Sequence, residues 1–259
     1  MNLTMRFLGS GSGLCDHRDN FHTNVLLTDS DFPGQHLMID CGTHAQIALV
    51  ELDIDVCSID SIFVTHAHAD HAGSLEWMAL KRYFCQNSMR PVLIGDANML
   101  NRLWRKTLSG GLETLQGKKN TLRSFFRVVP VARNGSFVWF NTKFDLVQTV
   151  HNMNERSVNP SYGLFFEVNG KKIFFTGDTQ FCPNQILAFY EEADVIFQDC
   201  ELAKYPQSVH AQFHELCTLP ENIRQKMWLD HYRRKQDIPP DWQHYGFPGF
   251  VERYQTFTF

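Results

Sequence analysis

Four metal-competent side chains, His66, His68, Asp70 and His71, stand within six residues of one another. They lie in Thr65-His66-Ala67-His68-Ala69-Asp70-His71, directly after the apolar run Ile62-Phe63-Val64. An apolar strand that ends in packed imidazoles and a carboxylate makes poor core. Each buried polar group left without a partner costs on the order of 1–3 kcal/mol. A metal ion removes that cost. Imidazole with carboxylate suits zinc, and also manganese or iron. The pattern recurs downstream. The stretch Leu146-Val147-Gln148-Thr149-Val150 leads to His151, Ile173-Phe174-Phe175 leads through Thr176 and Gly177 to Asp178, and Met227-Trp228-Leu229 leads through Asp230 to His231. Each of these alone reads equally as a turn or surface residue. Together with the first cluster they supply seven donors, enough for a two-metal site.

The elements that carry these donors follow from hydropathy spacing. Thr4 to Leu8 predicts a strand that ends in the turn Gly9-Ser10-Gly11-Ser12-Gly13. That turn lacks Gly-Lys-Ser/Thr and is no P-loop; it reads as tight backbone beside something that approaches closely. Further strands are predicted over 24–27, 37–39, 61–64, 91–94, 126–131, 137–140, 144–150, 161–168, 172–175, 195–198 and 227–229. Helices are predicted over 45–52, 72–84, 97–107, 184–190 and 221–226. Strands come early in each half and helices cover them. This order fits an α/β fold, a four-layer αββα sandwich of two mixed sheets with helices outside. No repeat or linker divides residues 1–259, so a single domain is expected. The tail from Asp241 to Phe259, aromatic with proline and glycine, reads as an irregular end or as a segment docked on the body or on a second subunit.

Composition is ordinary for a globular protein, 43% apolar and 20% charged, which leaves no case for a disordered or fibrous chain. Met1 to Leu8 shows no signal-peptide h-region and no apolar run is long enough to span a bilayer, so neither secretion nor a membrane span is expected. Seven scattered cysteines form no C-x-x-C pair, so reduced thiols in the cytoplasm are expected. A formal net charge of −4 argues against a protein that coats nucleic acid, but not against a local basic pocket. Between Asp96 and Arg133, the residues Arg102, Arg105, Lys106, Lys118, Lys119, Arg123, Arg127 and Arg133 face only Asp96 and Glu113. That stretch reads equally as an anion-binding face and as solvated surface.

The run His66-Ala67-His68-Ala69-Asp70-His71 resembles the H-x-H-x-D-H signature of the metallo-β-lactamase superfamily, and Ile39-Asp40-Cys41-Gly42 resembles the strand and turn that precede it there. The resemblance implies that His66, His68 and His151 hold one divalent ion. Asp70, His71 and His231 would hold the other, with Asp178 as the bridge. Zinc is expected at both, with manganese as a substitute. The oxygen-reducing di-iron members carry a carboxylate where His68 stands. The main β-lactamases lack a match to His71 and use a cysteine at the second metal. Phe7-Leu8-Gly9-Ser10-Gly11-Ser12-Gly13 and Asp178-Thr179 are similar to ribonuclease Z and its relatives. That branch uses a glutamate in H-E-A-T and a histidine in H-S-T as a proton relay. Asp199 and His210 occupy the comparable places, with Glu201 and His214 as the alternative. Asp70, Asp199 and His210 are the candidate catalytic residues.

Ribonuclease Z carries a long arm that grips tRNA, whereas the stretch from Ser109 to Lys119 is short and has no proline. A compact acidic chain of this branch resembles small cyclic-nucleotide phosphodiesterases, among them phage anti-Pycsar proteins. The resemblance implies a small anionic nucleotide opened by a metal-bridged hydroxide, with His210 as the acid for the leaving oxygen. Arg233 and Arg234, or the 102–133 stretch, would bind phosphate. Tyr162 or Phe21 would stack the base, although each reads more simply as core. A homodimer is expected, as is common in the branch. The alternatives are tRNA 3′-end processing with RNA as partner, thioester or lactone hydrolysis, and a metal-stabilised protein that sequesters a nucleotide uncleaved.

Overall fold

The computed structural model describes residues 2–85, 89–115, 117–155, 157–203 and 209–259. The strands follow in chain order. First come β1 (Leu3–Gly9), β2 (Asn24–Asp29), β3 (His36–Ile39), β4 (Ile59–Phe63) and β5 (Val92–Asp96). A small hairpin, β6 (Thr114–Leu115) and β7 (Lys118–Lys119), precedes β8 (Arg127–Val131). Then come β9 (Ser136–Trp139), β10 (Thr142–Asn154), β11 (Ser157–Val168), β12 (Lys171–Phe175), β13 (Val195–Asp199), β14 (Met227–Asp230), β15 (Gly249–Phe250) and β16 (Thr256–Thr258). One sheet has the order β16-β1-β2-β3-β4-β5-β8, and the other β15-β14-β13-β12-β11-β10-β9. Each mixes antiparallel hairpins with parallel pairs. The parallel pairs are β3 through β5 to β8 in the first sheet and β12 through β15 in the second.

Alternation along the strands builds the layers. On β1, Leu3, Met5 and Phe7 point into the core between the sheets, where they meet Phe144, Leu164, Phe175 and Phe197 of the second sheet. Phe63 of β4 joins them, while Ile59 and Ile62 face the other way, under α1 (Ala45–Glu51) and α3 (Leu75–Phe84). Burial on both faces explains why β4 reads as an apolar run rather than as strict alternation. On the far side, Phe174, Ile196 and Leu229 pack under the helix Pro183–Glu192, whose Ile186 and Tyr190 are buried. The expected four layers are therefore present, with proline at the first turn of that outer helix where its missing N–H costs nothing. Among the described residues no helix is long and apolar enough to cross a membrane.

Several elements differ from expectation. The tail is not an irregular end. β15 pairs with β14 and β16 with β1, so the tail closes both sheets of its own chain. Strands of two and three residues are too short to show a period. The β10–β11 hairpin runs to 13 and 12 residues, well past the predicted ends. His151 therefore lies inside β10 rather than beyond it. A bulge between Val150 and Asn152 breaks the register there, which re-aims the side chain. The helix predicted over 97–107 continues through a wider π turn at Trp104–Leu108 into Ser109–Leu112. The described residues of the segment from Ser109 to Lys119 form one helical turn and the paired β6 and β7, with no extended arm among them.

Candidate metal centre

Six of the donors follow the carboxyl ends of parallel strands, the usual place for a ligand crevice in such sheets, and His151 joins them from the bulge inside antiparallel β10. After β4 the chain turns through Thr65, His66 and His68 into the single turn α2 (Ala69–Ala72), which carries Asp70 and His71. The turn fits only because two neighbours lack side chains. A Cβ on Gly42 would lie 1.6 Å from the Asp70 carbonyl oxygen, and one on Gly13 would lie 2.8 Å from Asp70 Oδ2. The latter is the close approach expected of the glycine turn after β1. Asp178 follows β12 through Gly177, and His231 follows β14 directly. His231 and Asp40 hold φ near 60° without being glycine, a strain of order 1–3 kcal/mol that collects at functional sites.

The seven predicted donors come together in two groups that share Asp178. Donor atoms of His66, His68, His151 and Asp178 lie within 4.8 Å of one another, as do those of Asp70, His71, Asp178 and His231. In the first group His68 Nδ1 stands 2.9 Å from His66 Nε2 and 3.2 Å from His151 Nε2. Asp178 Oδ2 lies 3.7 Å from His66 Nε2 and 3.6 Å from His151 Nε2. Its other oxygen, Oδ1, faces the second group, 3.2 Å from His71 Nε2 and 3.4 Å from His231 Nε2. Asp70 Oδ2 is 3.2 Å and 3.4 Å from the same two nitrogens.

These spacings fit ions. Donors held tetrahedrally at roughly 2.0–2.1 Å from zinc stand about 3.3 Å apart. Hydrogen bonding alone accounts for them poorly. Three ring nitrogens converge on one point in the first group, and buried His71 Nε2 makes no hydrogen bond although carboxylate oxygens flank it. Each group could hold one divalent cation. Electrostatics keep the anionic donors ionised, as metal ligation needs. Burial opposes charge on Asp178, but His231, His71 and His66 outweigh it and hold the carboxyl well below its usual range. Burial also opposes charge on His71, where Asp178, Asp70 and Asp40 prevail and hold the ring well above the ordinary imidazole value. At His66 burial wins, helped by His71, and the ring is held well below that value.

Outside the donors lies a set of orienting contacts that the sequence did not single out. Asp40 Oδ2 takes His71 Nδ1 at 2.7 Å, and Asp40 Oδ1 accepts the Thr65 amide at 2.8 Å. Val209 carbonyl accepts from His151 Nδ1 at 2.8 Å. The Asn152 side-chain amide lies 3.1 Å from His68 Nε2, the nitrogen that points away from the cluster. The Asp40 and Val209 contacts, in which an oxygen accepts from the outer ring nitrogen, fix the tautomer that aims a lone pair inward. Asp40 sat in the quoted Ile39-Asp40-Cys41-Gly42 run, but its partner is 31 residues away. Nothing in the sequence marks Asn152.

The relay candidates separate clearly. His210 Nδ1 donates to Asp199 Oδ2 at 2.7 Å, and the Thr179 amide donates to the same oxygen at 2.8 Å. Asp199 Oδ1 lies 3.4 Å from His231 Nδ1, which links the pair to the donor cluster. Burial lowers the His210 pKa, but Asp199 more than compensates and leaves it raised. Of the alternative pair, Glu201 accepts from Gln212, and His214 is exposed.

A cleft of about 740 Å³ opens over the donors. Ser12, Gly13, Leu14, Asn152, Arg233 and Arg234 form its walls. No described residue of the basic 102–133 stretch lines it. Arg102 and Arg133 border a separate cavity of about 220 Å³. Tyr162 and Phe21 do not reach the large cleft either. They are 2% and 3% exposed, Tyr162 in the core between the sheets and Phe21 in the outer core of the first sheet. An aromatic beside a turn is more often core than platform, because burying its large apolar area outweighs leaving it in water.

Four layers with donors at the strand ends are the metallo-β-lactamase fold. A diphosphatase of the PhnP family shares it at a TM-score of 0.74 and 18% identity, over 99% of this chain and 98% of that one. The short form of human tRNase Z shares it at 0.67 and 18% identity, over 99% and 98%. The chain belongs to the family described as anti-Pycsar protein Apyc1, which matches residues 3–257. It is similar to anti-Pycsar protein Apyc1 of Paenibacillus harenae, 35% identical over 230 residues, or 88% of this chain and 89% of that protein.

Proposed function

We propose that this protein is a dinuclear metal-dependent phosphodiesterase that opens cyclic nucleotides. Asp178 carries the reading, because its two oxygens face two different histidine groups beside the His210–Asp199 pair. His66, His68 and His151 with Asp178 would hold one divalent cation, and Asp70, His71 and His231 with Asp178 the other. Zinc suits this nitrogen and oxygen set, and manganese could replace it. When bound, the cations neutralise charge on the phosphoryl oxygens and acidify a water molecule.

The chain's own residues do the remaining work. Hydrolysis adds water across one P–O bond of the ring, and the departing ester oxygen needs a proton. His210 would give it. Asp199 holds Nδ1 at 2.7 Å and favours the charged ring, which leaves the other nitrogen for the substrate. Asp70 acts as a ligand on this reading and not as a proton carrier, since its near neighbours are His71 and His231. Arg233 and Arg234 would seat the phosphate at the cleft wall. The cleft is of the size that small-molecule sites usually have.

The family name, anti-Pycsar protein, agrees with a cyclic-nucleotide substrate. Cleavage of precursor tRNA is the weaker reading, because the described residues of 109–119 form no gripping arm and net charge is −4. A homodimeric assembly in the cytoplasm belongs to the same proposal, and sedimentation would check the dimer. The main test incubates metal-loaded protein with cyclic nucleotides of each base, precursor tRNA, and thioester and lactone probes. Ring opening is the expected product. Cleaved tRNA with intact rings would overturn the proposal, as would nucleotide that is bound and recovered unchanged. His210→Ala should slow ring opening by about 10²–10⁴-fold. Bis-p-nitrophenyl phosphate, whose leaving group needs no proton, should lose far less. Equal losses would remove His210 from the acid role.

A further inference from the structure

We propose a third metal site, made by Cys15, His22 and His44, for a thiophilic divalent cation such as zinc. The fold draws these residues from three places. Cys15 lies in the loop after β1, His22 two residues before β2, and His44 at the entry to α1. One donor atom from each lies within 4.8 Å of the other two. No residue is shared with the two groups around Asp178.

Several observations point to a ligand rather than to chance packing. His22 is 7% exposed, and its Nδ1 has no hydrogen-bond partner among the described residues. Orphaned polar atoms of this kind are rare inside proteins and call for a partner. The His22 and His44 rings stack with centroids 3.8 Å apart, and a nitrogen of each lies within 4.8 Å of the other and of the Cys15 sulfur. The Cys15 thiol makes a long contact, 3.7 Å to the Asn20 carbonyl, which a metal bond can replace. The His22 amide reaches His44 Nδ1 at 3.3 Å, also long enough for an ion to displace. Gly11 supplies the space for the sulfur, since a Cβ there would lie 2.7 Å from Cys15 Sγ. One thiolate with two imidazoles is a donor set that selects zinc over magnesium or calcium.

The position gives the site a purpose. Ser12, Gly13 and Leu14 of the same loop form one wall of the large cleft, and Gly13 abuts Asp70. An ion on Cys15, His22 and His44 would fasten that wall to the start of α1. The proposal stands apart from the phosphodiesterase reading, because its signature is sulfur and the Asp178 groups contain none.

Protein stripped of metal and refilled with cobalt provides the test. Thiolate-to-cobalt absorption in the near ultraviolet is expected in the unsubstituted protein and in Asp178→Ala, and should vanish in Cys15→Ser. Elemental analysis of zinc-loaded protein should show about one ion per chain fewer in both Cys15→Ser and His44→Gln. Absence of the band from the unsubstituted protein overturns the site, as does a band that survives Cys15→Ser. Failure of the dinuclear reading would appear separately, as an Asp178→Ala protein with unchanged metal content.

Discussion

Asp178→Asn is the sharpest perturbation of the centre, because it keeps the shape of the side chain and changes one oxygen into an amide nitrogen. Oδ2 stands 3.6–3.7 Å from nitrogens of His66 and His151, and Oδ1 stands 3.2–3.4 Å from those of His71 and His231. An NH₂ group only donates and offers no lone pair to a metal. Whichever way the amide turns, one group of four donors falls to three, and the other keeps only a neutral oxygen. Charge acts in the same direction. Two dications would face Asp70 alone instead of two carboxylates. Loss of a contact one layer out from a metal already costs about 10–100-fold in affinity. Loss of a donor itself should therefore exceed about 100-fold, or about 2.7 kcal/mol at about 1.36 kcal/mol per decade. Metal content after desalting should drop by at least one ion per chain relative to the unsubstituted protein. Hydrolysis of bis-p-nitrophenyl phosphate should fall at least ~100-fold, with circular dichroism unchanged. Asp178→Ala, which leaves neither group a fourth donor, should lose both ions and all turnover. An Asp178→Asn protein with full metal content and a rate within a few-fold of normal would refute the shared-carboxylate arrangement.

Asp40→Ala should weaken metal retention about 10–100-fold in a chelator competition, because it removes the acceptor 2.7 Å from His71 Nδ1; unchanged retention would show that Asp40 does not orient the ring. Gly13→Ala should displace Asp70, whose Oδ2 would lie 2.8 Å from the new Cβ. Metal content or turnover should fall while the melting temperature barely moves, and normal activity would show that the loop yields instead. Burial holds the half-buried His36 below its ordinary pKa, so the folded protein resists a proton that the unfolded chain accepts below about pH 6.5. That share of stability is complete above about pH 6.5 and declines as pH falls below it. His36→Gln should therefore reduce the acid-side loss of melting temperature, and a difference between the two proteins that does not vary with pH would contradict this.

Much of the architecture was legible because its causes are local. Alternation on β1 and the apolar run of β4 name the faces that must be buried, and four layers are the packing that buries them. Places where local reading failed are those where neighbours in space decide. β15 and β16 are too short to carry a period, and they form because β14 and β1 offer open edges. The basic 102–133 stretch seemed as near to the cleft as Arg233 and Arg234, but only the latter pair follows a donor on the same strand end. Asp199 and Glu201 are two residues apart on the chain. Asp199 ends β13, where it faces the donor cluster, and Glu201 lies beyond it on Gln212.

The chain by itself determined the chemistry on offer. Spacing His66, His68, Asp70 and His71 within a turn and a half gathers imidazole and carboxylate however the remainder folds, since covalent neighbours cannot separate far. Tertiary structure alone decided how those donors are completed and paired. Asp178 reaches both groups because two sheets pack with their strand ends together, and His151 turns inward because β10 bulges there. His210 meets Asp199, and Cys15 meets His22 and His44, across gaps that no local pattern spans. Such contacts depend on the summed packing of the whole core, which is why no short stretch of sequence records them.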